Sequence, residues 1–256
     1  MQHSDSLTRA YPPKPKQVYL LGTCLVDSFY PQAGMDAISL LEREGVEVIF
    51  PQSQTCCGQP AYNSGYDEEA RKVARQQLKA FAGDIPVVVM MGSCAAMVHK
   101  DYPLLFAGEA EEKEANALAQ RTYEFSEFMV NVLQVSLTDT CSQPAKVALH
   151  TSCSARRSMK VADEHKALLS SLSGVQVVEP ERVTECCGFG GTFAVKQPDI
   201  SAAMAKDKAD NMAATGADVI TSADCGCLMN ISGTLDKQGR SMPAKHLATL
   251  LWERSQ

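Results

Sequence analysis

Short apolar runs alternate with amphipathic stretches along this chain, and the same order of elements occurs twice. Gln17-Val18-Tyr19-Leu20-Leu21 reads as a strand running toward Cys24. A helix around Ala37 to Glu44 and a strand at Val46 to Phe50 follow. Next come a helix from about Asp67 to Ala82, with Asp67 at its N-cap, and a strand, Val87 to Met91, that leads to Cys94. The second half repeats the series. Its strand Val147 to His150 leads to Cys153, followed by a helix Glu164 to Leu172 and a strand Val175 to Val178. A helix Ile200 to Ala214 and a strand Val219 to Thr221 then lead to Cys227.

Local likeness accompanies this order: Leu40-Leu41 followed by Gly45-Val46-x-Val48 matches Leu168-Leu169 followed by Gly174-Val175-x-Val177. Alternating strands and helices imply parallel sheets. The expected fold class is therefore α/β, with two tandem pseudo-symmetric half-domains and functional loops at the carboxyl ends of the strands. Residues 17–140 and 141–256 would form the halves, after a flexible N-terminal segment, 1–16. Between them, Glu109 to Ala119 is charged and Ala-rich, and Tyr123, Phe125, Phe128, Met129 and Leu133 form an apolar face. That stretch reads as a helix closing the first half, its apolar face either core or a docking surface.

Cysteine placement sharpens the repeat into chemistry. Cys-Cys-Gly occurs at Cys56-Cys57-Gly58 and at Cys186-Cys187-Gly188, each between a cysteine upstream and one downstream. From Cys24, Cys56, Cys57 and Cys94 to Cys153, Cys186, Cys187 and Cys227 the offsets are 129, 130, 130 and 133 residues. Adjacent cysteines cannot bridge each other without a strained ring. Two thiolate sets for metal, with iron–sulfur clusters the first reading and zinc the alternative, explain the pattern better than disulfides do. A glycine beside two adjacent ligands relieves crowding and frees backbone N–H groups for the sulfurs. Gly188 to Gly191 lacks the spacing of a nucleotide-binding loop.

Composition narrows the setting. The chain of 256 residues has ten cysteines, and its opening MQHSDSLTRAYPPKPK carries no apolar run of a secretory segment, so a cytoplasmic location and reduced thiols are expected. The run Val87 to Met91 falls far short of the ~20 residues that cross a bilayer. A net charge of −6 gives no electrostatic footprint for nucleic acid. A hydrophobic fraction of 45% is enough to build cores.

The paired motifs resemble the cysteine-rich CCG domain family, which includes the B subunit of heterodisulfide reductase and the iron–sulfur subunits of glycerol-3-phosphate and glycolate dehydrogenases. Likeness to the lactate-utilisation branch of that family runs from about Val18 to Trp252. It is carried by Gly22-Thr23-Cys24-Leu25-Val26-Asp27, by Thr55-Cys56-Cys57-Gly58-Gln59-Pro60-Ala61-Tyr62-Asn63-Ser64-Gly65, by Gly92-Ser93-Cys94, and by Cys186-Cys187-Gly188-Phe189-Gly190-Gly191-Thr192-Phe193. The resemblance implies an iron–sulfur electron-transfer subunit of a flavin-free system that oxidises L-lactate to pyruvate. It implies two partner subunits, one of them another iron–sulfur protein, and an acceptor in the respiratory chain. A glycolate or other 2-hydroxy-acid oxidase subunit, or a thiol–disulfide enzyme like heterodisulfide reductase, is the alternative.

On this resemblance Cys24, Cys56, Cys57 and Cys94 hold one cluster, and Cys153, Cys186, Cys187 and Cys227 hold the other. The wider family often ends each motif in C-x-x-C, and here Met91 and Asp224 stand where the extra cysteines would be. Four thiolates per half suit two [4Fe-4S] clusters. Cys225 is either a fifth ligand of the second site or a buried thiol, and Ser93 precedes Cys94 in the first. Cys141, in the linker Thr138 to Pro144, has no counterpart in the first half and reads as a spare thiol. His150 is either a satisfied histidine at a strand end or a hydrogen-bond partner of a cluster sulfur. Arg156, Arg157, Lys160 and Lys196 are either carboxylate ligands or solvated surface.

Overall fold

The computed structural model describes residues 9–256, so the first half of the N-terminal segment expected to be flexible lies outside the described residues. Four strands, β1 (Gln17–Leu21), β2 (Glu47–Ile49), β3 (Val87–Val89) and β4 (Thr122–Glu124), form one parallel sheet in the order β2-β1-β3-β4. A second set, β5 (Ala145–Leu149), β6 (Val175–Val178), β7 (Val219–Ser222) and β8 (Ala244–His246), forms another in the order β6-β5-β7-β8. Every pairing is parallel, with Tyr19 beside Val87 in the first sheet and Val147 beside Val219 in the second. The chain is thus α/β, with two pseudo-symmetric halves of one topology.

Helices cross between the strands. Pro31–Arg43 joins β1 to β2, Asp67–Ala80 joins β2 to β3, and Pro198–Ala213 occupies the corresponding place before β7. The first of these starts earlier than the apolar spacing indicates because Pro31 sits in its first turn, where a missing N–H costs nothing. Asp67 is not the cap of its helix: Tyr66 holds that position, and Asp67, Glu68 and Glu69 place negative charge over the first turn.

The segment after Gly108 also differs from the expected single helix. Glu112–Gln120 is helical, but Tyr123 lies in β4, which extends the first sheet by pairing with β3. Buried Glu124 then caps the helix beginning at Phe125 and accepts the Ser126 and Glu127 N–H groups.

Side chains of β5 alternate across the sheet: Val147 and Leu149 enter a core shared by both halves, and Ala148 enters a separate cluster with Ile220, Leu228 and Leu235. The shared core brings the halves together. His246 Nε2 donates to the Met90 carbonyl at 3.0 Å. Glu124 Oε1 lies 3.4 Å from His165 Nε2 with both groups buried. The C-terminal helix Leu247–Ser255 packs on Pro31–Arg43, where Arg43 Nη2 donates to Ser255 Oγ at 3.1 Å. At the N-terminal edge Arg9 pairs with Glu127 at 2.9 Å and covers the Tyr123 ring. This joined arrangement brings the loops after β1, β3, β5 and β7 to one place.

Candidate metal centre

Each half presents its cysteines by the same local devices. Cys24 opens the helix Cys24–Phe29 just past β1, and Cys94 lies in the helical turn Gly92–Ala96 past β3. Between them, Cys56 and Cys57 occupy a loop that turns at Gly58, whose φ is 86°. In the second half Cys153 follows β5, Cys186 and Cys187 precede Gly188 at φ 81°, and Cys227 lies in the helix Cys225–Lys237 past β7. A side chain from the neighbourhood of the last cysteine fixes the central pair in both cases. The Tyr102 hydroxyl donates to the Cys57 carbonyl at 2.9 Å, and Asn230 Nδ2 donates to the Cys187 carbonyl at 2.7 Å.

The sulfurs converge. Cys24 and Cys56 Sγ are 3.9 Å apart, and Cys57 and Cys94 Sγ are 3.3 Å apart; Cys187 and Cys227 Sγ are 3.1 Å apart. These separations exceed a disulfide bond, and all ten cysteines are free. Burial follows one gradient in both sets: Cys24 and Cys153 are exposed, Cys56 and Cys186 are half-buried, and the remaining four are buried. All eight border a single cavity of about 350 Å³ between the halves.

The thiols themselves argue for a cation. Hydrogen bonds from Cys24 and then Cys57 hold the Cys56 thiol far below its ordinary value, and those from Cys153 and Cys187 do the same for Cys186. Gly188 N–H adds a donor to Cys186 Sγ at 3.4 Å. Hydrogen bonding to those thiolates, and then burial, pushes Cys24, Cys57, Cys153 and Cys187 up. One thiolate per set is stabilised by its neighbours, while four would repel each other strongly at low dielectric unless positive charge lay among them. A thiolate-bound metal centre therefore fits the donor set in each half.

The remaining candidates separate cleanly. His150 is buried, and one of its ring nitrogens lies with Cys187 and Cys227 Sγ in a group whose members are all within 4.8 Å of one another. Neither nitrogen has a hydrogen-bond partner among the described residues, so it is not a satisfied strand-end histidine. Met91 and Asp224 both face the cavity, and Asp224 Oδ2 accepts the Ser93 N–H from the other half at 3.2 Å. Cys225 is fully buried in the core shared with the first half and is not part of the cavity wall.

Exposed Cys141 lies apart, its thiol donating to the Glu253 carbonyl at 3.5 Å. Arg156 pairs with Glu179 at 3.7 Å, Lys196 Nζ sits 4.9 Å from the Tyr66 ring centroid, and Arg157 and Lys160 are exposed. None of these four lines the cavity.

Two supporting residues escaped the sequence reading. Gln77 and Lys208 are fully buried on matching stripes, Ala70-Ala74-Gln77 and Ser201-Ala205-Lys208. Gln77 holds the Thr55 N–H and carbonyl at 3.1 and 2.6 Å. Lys208 Nζ donates to the Arg182 and Val183 carbonyls at 3.1 and 3.3 Å. A polar residue on the apolar face of each helix was the available signal.

Two copies of one α/β unit, each turning four cysteines toward a common cavity, define a protein of the cysteine-rich domain (CCG) family. Residues 18–99 and 147–232 match that domain, and the chain belongs to the family. Its relatives include proteins named Lactate utilization protein A. That of Shouchella clausii is 44% identical, covering 91% of this chain and 98% of that protein. That of Geobacillus thermodenitrificans is 44% identical over 93% and 100%, and that of Halalkalibacterium halodurans is 46% identical over 92% and 96%. Among solved structures, a hypothetical protein from Helicobacter pylori superposes with a TM-score of 0.63 over 96% of this chain at 12% identity. This chain spans half the length of that one, and the likeness shows the fold alone.

Proposed function

We propose that this chain serves lactate utilisation as the iron–sulfur electron-transfer subunit of a system that oxidises L-lactate to pyruvate. The observation that carries the reading is the convergence of two four-cysteine sets on one cavity. Relatives that match nearly end to end and are named for lactate utilisation support the substrate. Lactate oxidation releases two electrons and two protons, and a chain with two one-electron centres matches that stoichiometry.

Iron–sulfur clusters, when bound, supply reversible one-electron storage. The chain's own residues do the rest. Cys24, Cys56, Cys57 and Cys94 hold one centre, and Cys153, Cys186, Cys187 and Cys227 hold the other. The deeper cysteines and the apolar strands behind them exclude water, which sets the dielectric around each centre and with it the potential. Exposed Cys24 and Cys153 bring each centre to the surface, within reach of a partner subunit. Cationic groups that would grip a carboxylate are absent from the cavity wall among the described residues, which favours lactate binding on a partner rather than here. Two further subunits, one itself an iron–sulfur protein, and a respiratory-chain acceptor complete the system in this reading. No helix of the described residues is long and apolar enough to cross a membrane, and the reading places the chain in the cytoplasm.

Anaerobic co-purification followed by dye-reduction assays tests this. Lactate-dependent reduction should require the partner subunits, and robust activity of the isolated chain would contradict the assignment. Preference for glycolate over lactate by the assembled system would overturn the substrate.

A further inference from the structure

The two sites share one plan but not one environment. β1 ends in Leu21, whereas the position 129 residues later, just past β5, is His150. The stripe that ends in neutral Gln77 in the first half ends in Lys208 in the second, also buried and tied to the loop that leads to Cys186. A neutral imidazole carries one N–H, and burying it unpaired in an apolar interior leaves its desolvation cost uncompensated. The sulfurs of Cys187 and Cys227 lie within 4.8 Å of one of the His150 ring nitrogens. Four cysteines already complete this site, so its remaining task is donation rather than ligation.

We propose that His150 donates an N–H to a sulfur of the second site, and that this bond, with the positive charge of Lys208, makes the second site the higher-potential centre of the two. Electrons entering the chain then settle on the side of Cys153, Cys186, Cys187 and Cys227. The inference rests on the iron–sulfur reading above. Its physical basis is that donors and positive charge favour the reduced, more negative cluster and raise its potential. Asp224 acts in the opposite sense, but its carboxylate also accepts an N–H from the first site's loop at 3.2 Å, so it faces both sites.

Redox titration of the anaerobically prepared full chain, followed by paramagnetic resonance, tests this. Wild-type protein should show two waves, and Cys187→Ser should remove the upper one. His150→Leu, which copies Leu21, should move the upper wave to more negative potential, leave the lower wave in place and retain its iron. His150→Gln, which keeps an N–H, should restore part of the shift. Lys208→Gln, which copies Gln77, should lower the same wave and carries the test if His150→Leu does not fold.

An upper wave lost with Cys57→Ser instead, or unmoved by both His150→Leu and Lys208→Gln, would overturn the proposal. Loss of second-site iron in His150→Leu and His150→Gln alike would make His150 a ligand and overturn its role as donor. Wild-type protein free of iron and sulfide would overturn the functional reading itself, before any potential is measured.

Discussion

An alanine at position 188 would place its Cβ 2.7 Å from the Ser201 carbonyl oxygen, at a φ of 81° that side chains rarely adopt. The matching position, Gly58, is less crowded, with 3.2 Å to the Ala70 carbonyl oxygen. Gly188→Ala should therefore cost about 1–3 kcal/mol of stability and Gly58→Ala less, an ordering that thermal unfolding of both variants measures. The cysteines divide in the same residue-by-residue way. Cys57→Ser and Cys187→Ser should each remove roughly half of the visible absorbance, because each belongs to one of two equivalent sets. Cys141→Ser and Cys225→Ser should leave it intact, since one thiol is at the surface and the other points into the core. Loss of colour in Cys141→Ser with none in Cys57→Ser would contradict the division into sets.

At the scale of elements, the strands next to the cysteines were legible, as were the edge strands β2 and β6, and the opposite edge of each sheet was not. β3 and β7 are buried at every position, and β1 and β5 end in buried apolar residues that lead toward the cysteines. The edge strands β4 and β8 have three residues each, Thr122-Tyr123-Glu124 and Ala244-Lys245-His246, too few and too polar to display a period. Sheet pairing, not local propensity, makes them strands. The repeated cysteine positions were equally legible because they recur at a near-constant offset. The unsatisfied His150 and the contact from Ser93 to Asp224 were not, because each depends on how loops from different strands meet.

The edge strand β8 also predicts a pH response. His246 is buried, and burial lowers its pKa from 6.5 to about 4. Its Nδ1 accepts the Ala248 N–H at 3.2 Å and its Nε2 donates to Met90, so only the neutral ring serves both bonds. The unfolded chain binds this proton near pH 6.5 and the folded chain near 4. Stability from this group is therefore full above about 6.5 and is lost as pH falls toward 4, in all about 3 kcal/mol. His246→Asn, which keeps a helix-capping side chain, should flatten the acid limb of denaturant-measured stability in that window. An unchanged slope would show that other groups set it.

For the molecule as a whole, the joined core matters as much as the duplication. Hydrogen bonds from His246 to Met90 and from Ser93 to Asp224 hold the two cysteine sets against one cavity. On the proposed reading, the subunit passes electrons through rather than gripping a carboxylate. The most direct test of this account is the iron and acid-labile sulfide content of the anaerobically purified chain. Two [4Fe-4S] centres require about eight iron and eight sulfide per chain. About four of each, with the cysteines of one set replaceable without loss, or zinc with no sulfide, would contradict it.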